Sequence, residues 1–362
     1  MQYRLSRKPC KDSRKMTSKE RVLAAIEHRM PDRCPRNAGF TSDSAVRMMA
    51  YTGASGIEEL RQMLGIDIRS VYPSFHGKVR SSENGVNFDE WGIGRKSVKF
   101  EGEGYTGAYD EIVFSPLAEV KSVDEVLNYS WPNPDWWNYE TVAYSAKPLA
   151  KSYWITSGAY SIFERSWYMM GMERFLTDIF CDPEIPLAVM DKILEFYTEQ
   201  TLRILKSADG LIDQIDTADD IGTQRGMLIS PKVWREHIKP RQAKFISTIK
   251  SAYPVKIWYH CCGGIAPIIP DLIEIGVDIL DPIQTLAEGM QPEILKEKFG
   301  CEICFHGGID TQQLLPYGTP EDVRKEVTRL IDILGRDGGY ISAPTHIIQA
   351  DVPPENVIAM FS

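Results

Sequence analysis

The strongest constraint in this sequence is a regular alternation of short apolar runs with amphipathic segments, which begins near residue 152. Runs such as VKIWY at 255–259 are short enough for strands of a parallel sheet. The segments between them, such as PEDVRKEVTRLIDILG at 320–335, have helical periodicity. Strand–helix alternation with short joints predicts a parallel sheet flanked by helices. The predicted strands are residues 34–40, 66–72, 153–157, 211–216, 255–259, 277–280, 302–305 and 339–343.

Eight strands is the number that closes a (β/α)8 barrel, so we predict an α/β fold of the TIM-barrel type. The main alternative is an open doubly wound sheet, which usually carries a glycine-rich phosphate loop after its first strand, and no such motif occurs there. Residues 85–145 interleave glycines with aromatics and predict a β-hairpin-rich insertion. We expect residues 17–362 to form a single domain after a flexible basic tail at 1–16, with Thr17 and Glu20 forming a capping box.

Composition disfavours several kinds of partner. A net charge of −9 over 362 residues offers no basic stripe for nucleic acid. No stretch approaches the roughly 20 apolar residues that a membrane-spanning helix needs. The seven cysteines form an odd set without a secretion signal, which favours a reducing cytoplasm over a disulfide framework. Aromatic segments such as Trp136–Trp137 leave a homodimer possible.

The ends of the predicted strands carry the chemistry, because active sites of (β/α)8 barrels lie where strands end and helices begin. His260 and Cys262 directly follow the predicted strand at 255–259. Such a pair can turn into one space and bind zinc through an imidazole nitrogen and a thiolate sulfur. His346 follows the last strand and is the candidate third ligand, which leaves one coordination position open for a substrate. The alternative is that His260 hydrogen-bonds a substrate and the cysteines only pack.

Other strand ends supply further candidates. His306, Asp310 and Asp220 are candidate catalytic residues, and Asp219, Gln224 and Gln284 are candidate substrate-binding residues. Two of them have a structural alternative: Asp310 can cap a helix, and His306 can bond a carbonyl at the rim. Adjacent side chains diverge at a strand end, so we expect one of the two aspartates in the cleft and the other in a cap or salt bridge.

Several motifs, in order over residues 17–362, resemble the uroporphyrinogen decarboxylase superfamily, and most of all its cobalamin-dependent methyltransferase branch. They include TSKERVLAAIEHRMPDR, WYHCCGGIAPIIPDLIEIGVDILDPIQ, FHGGIDTQQLLPYGTPEDVR and APTHIIQADVPPENV. The resemblance implies a (β/α)8 barrel with zinc on an H-x-C pair, matched by His260 and Cys262, and on a later cysteine. His346 stands at that cysteine's position. The resemblance also implies a corrinoid on a separate protein as methyl carrier, and a thiol such as coenzyme M, or tetrahydrofolate, as acceptor.

The decarboxylases of this superfamily need no metal and hold a tetrapyrrole through arginines and an aspartate. Arg36 in PRNAGFT matches one such arginine, Phe40 stands at the place of a second, and Asp67 in GIDI is the expected aspartate, so Arg36 and Asp67 are candidate substrate-binding residues. With one basic anchor gone, a carboxylated porphyrinogen would be poorly neutralised. The sequence therefore favours methyl transfer over decarboxylation, and a non-catalytic barrel that binds a corrinoid or tetrapyrrole is a third hypothesis.

Overall fold

The computed structural model of the chain describes residues 15–102 and 105–362, so the predicted basic tail lies almost wholly outside it. The first helix, Ser18–Ile26, begins with the expected capping box. Thr17 Oγ1 accepts a hydrogen bond from the Glu20 amide at 3.2 Å, and the Glu20 carboxylate accepts one from the Thr17 amide at 2.8 Å. This local prediction is confirmed because both partners are only three residues apart.

Seven parallel strands form one curled sheet, which gives the chain a TIM-barrel-like α/β fold. Sequential strands pair with their neighbours throughout, as expected when each strand is followed by a crossover back to the same sheet. All seven overlap predicted strands. They are β1 (Ile68–Ser70), β2 (Trp154–Ser161), β3 (Gln214–Ala218), β4 (Lys256–His260), β5 (Ile279–Ile283), β6 (Cys304–Ile309) and β7 (Tyr340–Pro344).

The predicted first strand at 34–40 is wrong, since this segment makes only isolated bridges, from Arg36 to Ser342 and from Phe40 to Ile348. Pro35 has no amide hydrogen, which limits the ladder on this side. The segment still lies between the two edge strands of the sheet. The Asn37 amide donates to the Ser342 carbonyl at 3.0 Å, and the Asp67 amide, just before β1, donates to the Arg36 carbonyl at 2.9 Å.

Side chains alternate between the inside of the curled sheet and the helices outside it. On β4, for example, Trp258 packs inside, whereas Ile257 and Tyr259 pack against the helical layer. The amino-terminal half of the interior is apolar, and Val22 and Ile26 of the first helix close it. The strand residues in this apolar layer are Ile68, Trp154, Trp258, Ile279, Cys304 and Ile341. The carboxyl-terminal half is therefore the part of the interior that is left for polar groups.

The predicted insertion contains a β-hairpin, confirmed as the antiparallel pair Gly94–Gly102 and Tyr105–Phe114, with Asn87–Phe88 pairing beside it. Two further short pairs join Ser74–Phe75 to Trp137–Asn138 and Gly222–Thr223 to Gly226–Met227. Trp137 packs its ring on Phe75 and Phe196 of the same chain, so the homodimer stays a prediction without support from this residue.

Helices make up the outer layer and the connections. The α-helices after the first are Ser42–Thr52, Ile57–Met63, Val123–Leu127, Glu140–Ala146, Phe163–Met170, Met172–Cys181, Glu184–Ala208, Pro231–Val233, Lys239–Ala252, Ile269–Glu274, Pro292–Phe299, Leu314–Tyr317, Pro320–Leu334 and Pro354–Met360. Short 3-10 turns lie at Pro134–Trp136 and Ala266–Ile268, and a π-helical turn lies at Trp234–Ile238. Within the described ranges, none of the helices combines the length and apolar character needed to cross a membrane.

Candidate functional site

Three potential metal ligands meet at the carboxyl ends of the parallel strands. His260 is the last residue of β4, Cys262 lies two residues further on, and His346 follows β7. Each contributes one ligand atom, and these atoms all lie within 4.8 Å of one another. Since β4 and β7 are separated by two other strands in the sheet, only its curl brings His346 to the other two residues.

The spacing of these atoms suits a tetrahedral zinc ion. His260 Nε2 lies 3.6 Å from Cys262 Sγ. Zinc bonds of about 2.0–2.1 Å to nitrogen and about 2.3 Å to sulfur, at tetrahedral angles, would separate the two ligand atoms by roughly 3.6 Å. The donor set of two imidazoles and one thiolate is also one that zinc accepts, so the residues present fit this metal.

The loop that carries Cys262 is held in place by its backbone. The Cys262 amide donates to Asp220 Oδ1 at 2.7 Å, which ties the loop to the segment after β3. Gly263 has a φ of +86°, and a Cβ added there would lie 2.5 Å from the Thr223 nitrogen. A side chain at this position would therefore be strained and would clash, so the glycine after Cys262 is required by the local geometry.

A second layer of residues orients His260. Its Nδ1 donates to Asp281 Oδ2 at 2.5 Å, which points Nε2 toward Cys262 Sγ and the metal position. The other carboxylate oxygen of Asp281 accepts from His306 Nδ1. Asn37 Nδ2 lies 3.2 Å from His306 Nε2, and the His306 ring packs against Trp258. Asp281 and Asn37 were not among the sequence-based candidates. Asp281 directly follows a predicted strand, and that position is the signal which could have identified it.

The electrostatics of this cluster centre on the Asp281 carboxylate. Burial lowers the pKa of His260, but the hydrogen bond and charge of Asp281 more than offset this and raise it well above its usual value. For the Asp281 carboxylate the effect of burial is the opposite and would raise its pKa. The imidazoles of His306 and His260 nevertheless hold the pKa of Asp281 below its ordinary range. Burial also raises the pKa of the Cys262 thiol and, together with the charge of His260, lowers the pKa of His346. A lowered pKa favours the neutral imidazole, which is the form that binds a metal.

Three further candidates lie at the rim near the metal centre: Asp220, Gln224 and Gln284. Asp220 lies beside the centre, with Oδ1 3.8 Å from His260 Nε2. Gln224 donates to Gln284 Oε1 at 2.6 Å, and the same oxygen accepts from the Gly263 amide at 3.1 Å, so the two glutamines brace the metal-site loop.

Asp219 has a different position from its neighbour Asp220. Its carboxylate is fully buried and accepts from the Phe163 amide at 2.7 Å and from Gln242 Nε2 at 2.6 Å. Burial raises its pKa well above the usual value. Asp219 therefore anchors the start of the helix Phe163–Met170 outside the cleft.

Three sequence-based candidates are not brought to the metal centre. Asp310 accepts hydrogen bonds from the amides of Gln313 and Leu314, at 2.7 and 2.9 Å, as a cap does. Asp67 precedes β1 at the opposite end of the sheet, where it is buried in ion pairs with Arg21 and Arg33.

Arg36 is the third candidate that lies away from the metal centre. Its guanidinium donates to the Phe361 carbonyl at 2.5 Å and lines a cavity beside the helix Pro320–Leu334. This cavity is on the outer side of the sheet, whereas the next side chain, Asn37, reaches His306 inside. Arg36 and Asp67 are neighbours, since the Arg36 amide donates to Asp67 Oδ2 at 2.9 Å, but both lie away from the metal centre.

A curled parallel sheet with a polar, metal-competent cluster at its carboxyl ends defines a protein of the TIM-barrel enzyme type. The chain belongs to the uroporphyrinogen decarboxylase family, since the sequence model of that family matches residues 115–362. This result confirms the family-level resemblance.

Individual relatives are distant. Proteins described as uroporphyrinogen decarboxylase from Psychromonas ingrahamii and Pseudoalteromonas translucida are 24% and 26% identical over 49% and 46% of this chain. The matches span 47% and 48% of those proteins, about half of their length. A structure described as a methyltransferase from Methanosarcina mazei superposes with a TM-score of 0.65 at 18% identity, covering 95% of this chain and 97% of that one. At this identity the similarity shows a shared fold.

Proposed function

We propose that this chain is a zinc-dependent methyltransferase that moves a methyl group between a corrinoid protein and a thiol or tetrahydrofolate acceptor. The observation that carries the proposal is the convergence of His260, Cys262 and His346 within 4.8 Å at the mouth of the barrel. Three protein ligands leave a fourth position for a substrate, as in catalytic zinc sites. The fold is also that of a protein described as a methyltransferase, which makes the scaffold compatible with this chemistry by analogy.

Each residue of the site has a defined task in this proposal. His260, Cys262 and His346 would hold the zinc, and Asp281 would fix the imidazole of His260 in the tautomer that presents Nε2 to it. When bound, zinc lowers the pKa of a coordinated thiol and keeps the thiolate ready for alkylation. Asp220, beside the centre and partly exposed, would accept a hydrogen bond from the substrate through the carboxylate oxygen that does not bond the Cys262 amide.

The test combines metal analysis with a methyl-transfer assay. We expect about one zinc per purified chain in the wild type and close to none in C262A or H260A, because each removes one of three ligands. C181A is the matched control, since Cys181 is an exposed cysteine at the end of the helix Met172–Cys181 and is not one of the three metal ligands. Demethylation of methylcobalamin, measured against a panel of thiols and folates, then identifies the acceptor.

Decarboxylation of a tetrapyrrole is the second candidate, because both distant relatives carry the uroporphyrinogen decarboxylase description. Arg36 and Asp67, which this alternative would use, are hydrogen-bonded to each other at 2.9 Å, and both lie away from the metal centre. A metal-free protein that consumes uroporphyrinogen would contradict the methyltransferase proposal. A metal-free protein that binds cobalamin without turnover would instead indicate a non-catalytic binding barrel.

A further inference from the structure

A polar layer lies inside the barrel, directly above the apolar layer. On five strands, the side chain two residues after an apolar interior position is polar: Ser70 on β1, Thr156 on β2, His260 on β4, Asp281 on β5 and His306 on β6, whereas β7 has Ala343 there. On β3 the interior position between Gln214 and Ala218 is Asp216. The function proposed above uses the β4 and β5 members of this layer and leaves the carboxylate on β3 without a task.

The carboxylate of Asp216 is held by hydrogen bonds from two buried side chains, Gln214 and Thr156. Gln214 Nε2 donates to Asp216 Oδ1 at 2.6 Å, and Gln214 Oε1 in turn accepts from the indole of Trp154 at 2.8 Å. Thr156 donates a further hydrogen bond from β2. Gln214 and Thr156 are fully buried, whereas Asp216 keeps partial exposure. The carboxylate is thus held in the interior of the barrel and stays partly exposed.

The metal centre faces Asp216 from the next strand. In the ladder between β3 and β4, Asp216 pairs with Trp258 and Ala218 pairs with His260, so Asp216 lies one interior layer below His260. That step corresponds to roughly 7 Å along the strands. A substrate that reaches the open metal position from the mouth therefore has Asp216 beneath it.

His260 is a cation that faces this carboxylate, but it forms no ion pair with it. Within residues 15–102 and 105–362, Asp216 forms no salt bridge, and the titratable groups that face it are Tyr72 after β1, His260 on β4 and Asp281 on β5. Burial raises the pKa of Asp216 to about 7, with a smaller contribution from the charge of Asp281. A carboxyl group with this property exchanges protons at neutral pH, as a general base must.

We propose that Asp216 is the substrate-binding base of this cleft and accepts the proton that a protic methyl acceptor loses on binding. The S–H bond of a thiol, or the N–H bond of a folate amine, breaks. Its electron pair stays on sulfur or nitrogen, and the proton passes to the Asp216 carboxylate. This proposal rests on the proposed function, because it requires an acceptor beside the metal position.

The test counts protons released when a thiol binds. We would titrate 2-mercaptoethanesulfonate into the zinc-loaded protein by calorimetry, in buffers of different ionisation enthalpy. At pH 6 Asp216 is already protonated and cannot accept, so about one proton per thiol should appear in the buffer. At pH 8 Asp216 is ionised before the thiol binds, and the negative charge of the bound thiolate raises its pKa, so Asp216 keeps part of the proton and release should fall clearly below one proton per thiol. D216N has no acceptor and should release about one proton at both pH values.

Two further variants make the test specific. D213N is the matched control: Asp213 precedes the same strand and burial raises its pKa too, but it bonds Lys19 and the Ile155 amide at the opposite end of the sheet. It should release protons as the wild type does. T156V keeps Asp216 but removes a hydrogen bond that lowers its pKa, so the change in proton release should move to higher pH. T156V also tests the proposal if D216N fails to fold.

The outcomes separate this proposal from the proposed function. Equal proton release by the wild type and D216N at pH 8, with intact thiol binding, overturns the role of Asp216 and leaves the zinc–thiol centre standing. A midpoint that does not move in T156V also counts against Asp216. A zinc-loaded protein that binds no thiol overturns the acceptor chemistry, and the role of Asp216 fails with it.

Discussion

At the residue scale, the structure makes one carboxylate responsible for the orientation of the metal ligand His260. Asp281 accepts from His260 Nδ1 at 2.5 Å and also from His306, so D281N removes the charge that holds both imidazoles. Loss of such an outer-shell partner typically costs about 10- to 100-fold in metal affinity, and we expect a weakening of that order for zinc. Competition with a chromogenic chelator measures it. D310N is the control, since Asp310 lies on the same rim but caps a helix, and its zinc affinity should equal that of the wild type. Equal affinity in D281N would show that His260 needs no such support.

At the element scale, a buried carboxylate joins two segments of the outer helical layer. Asp271, on the helix Ile269–Glu274, accepts from Arg235 and Lys239, both at 2.8 Å. The Arg235 hydrogen bond, opposed by burial and aided by Lys239, lowers the pKa of Asp271. Its stabilising contribution is therefore present above the unfolded pKa of about 3.9 and is lost as the pH falls through the lower folded value. D271N should reduce the free energy of unfolding by about 1–2 kcal/mol at pH 7, a modest figure because Arg235 is half-exposed, and by less near pH 3. Urea unfolding at both pH values checks this. E274Q, which alters the exposed partner of Lys239, should change little. A loss in D271N that is as large at pH 3 as at pH 7 would contradict the ionic origin.

At the scale of the whole molecule, the metal ligands join parts of the barrel that are distant in the chain. His260 and Cys262 follow β4, and His346 follows β7, so the full set exists only when the sheet is curled. Zinc should bind the folded state in preference to the unfolded chain, and it should raise the free energy of unfolding by about 2.7 kcal/mol at a free concentration 100 times its Kd. Thermal unfolding with and without zinc measures this difference. C181A should respond as the wild type does, and C262A should respond much less. An equal rise in C262A would mean that the zinc binds elsewhere.

Much of the fold and part of the site could be predicted from local patterns. The seven regular strands were predictable because each apolar run carries its own signal, and the pair His260 and Cys262 follows one of them directly. The segment at 34–40 was predicted as a strand but forms only isolated bridges, because Pro35 interrupts its pairing. Arg36 and Asp67 stay predicted substrate-binding residues, and their position away from the metal centre could not be foreseen, because a motif does not state which side or which end of a sheet a residue occupies. A shift of one residue, from Arg36 to Asn37, separates the outer wall from the interior.

The sequence by itself determined the order of the strands, the polar residues at their ends and the H-x-C pair, because these depend on residues that are neighbours in the chain. Only the tertiary structure decided that His346 reaches that pair, that Asp281 is shared by two imidazoles and that Asp216 faces the cleft. The physical reason is that these contacts join different strands. Their distances are set by the register and curl of the sheet, which arise from packing over the whole molecule.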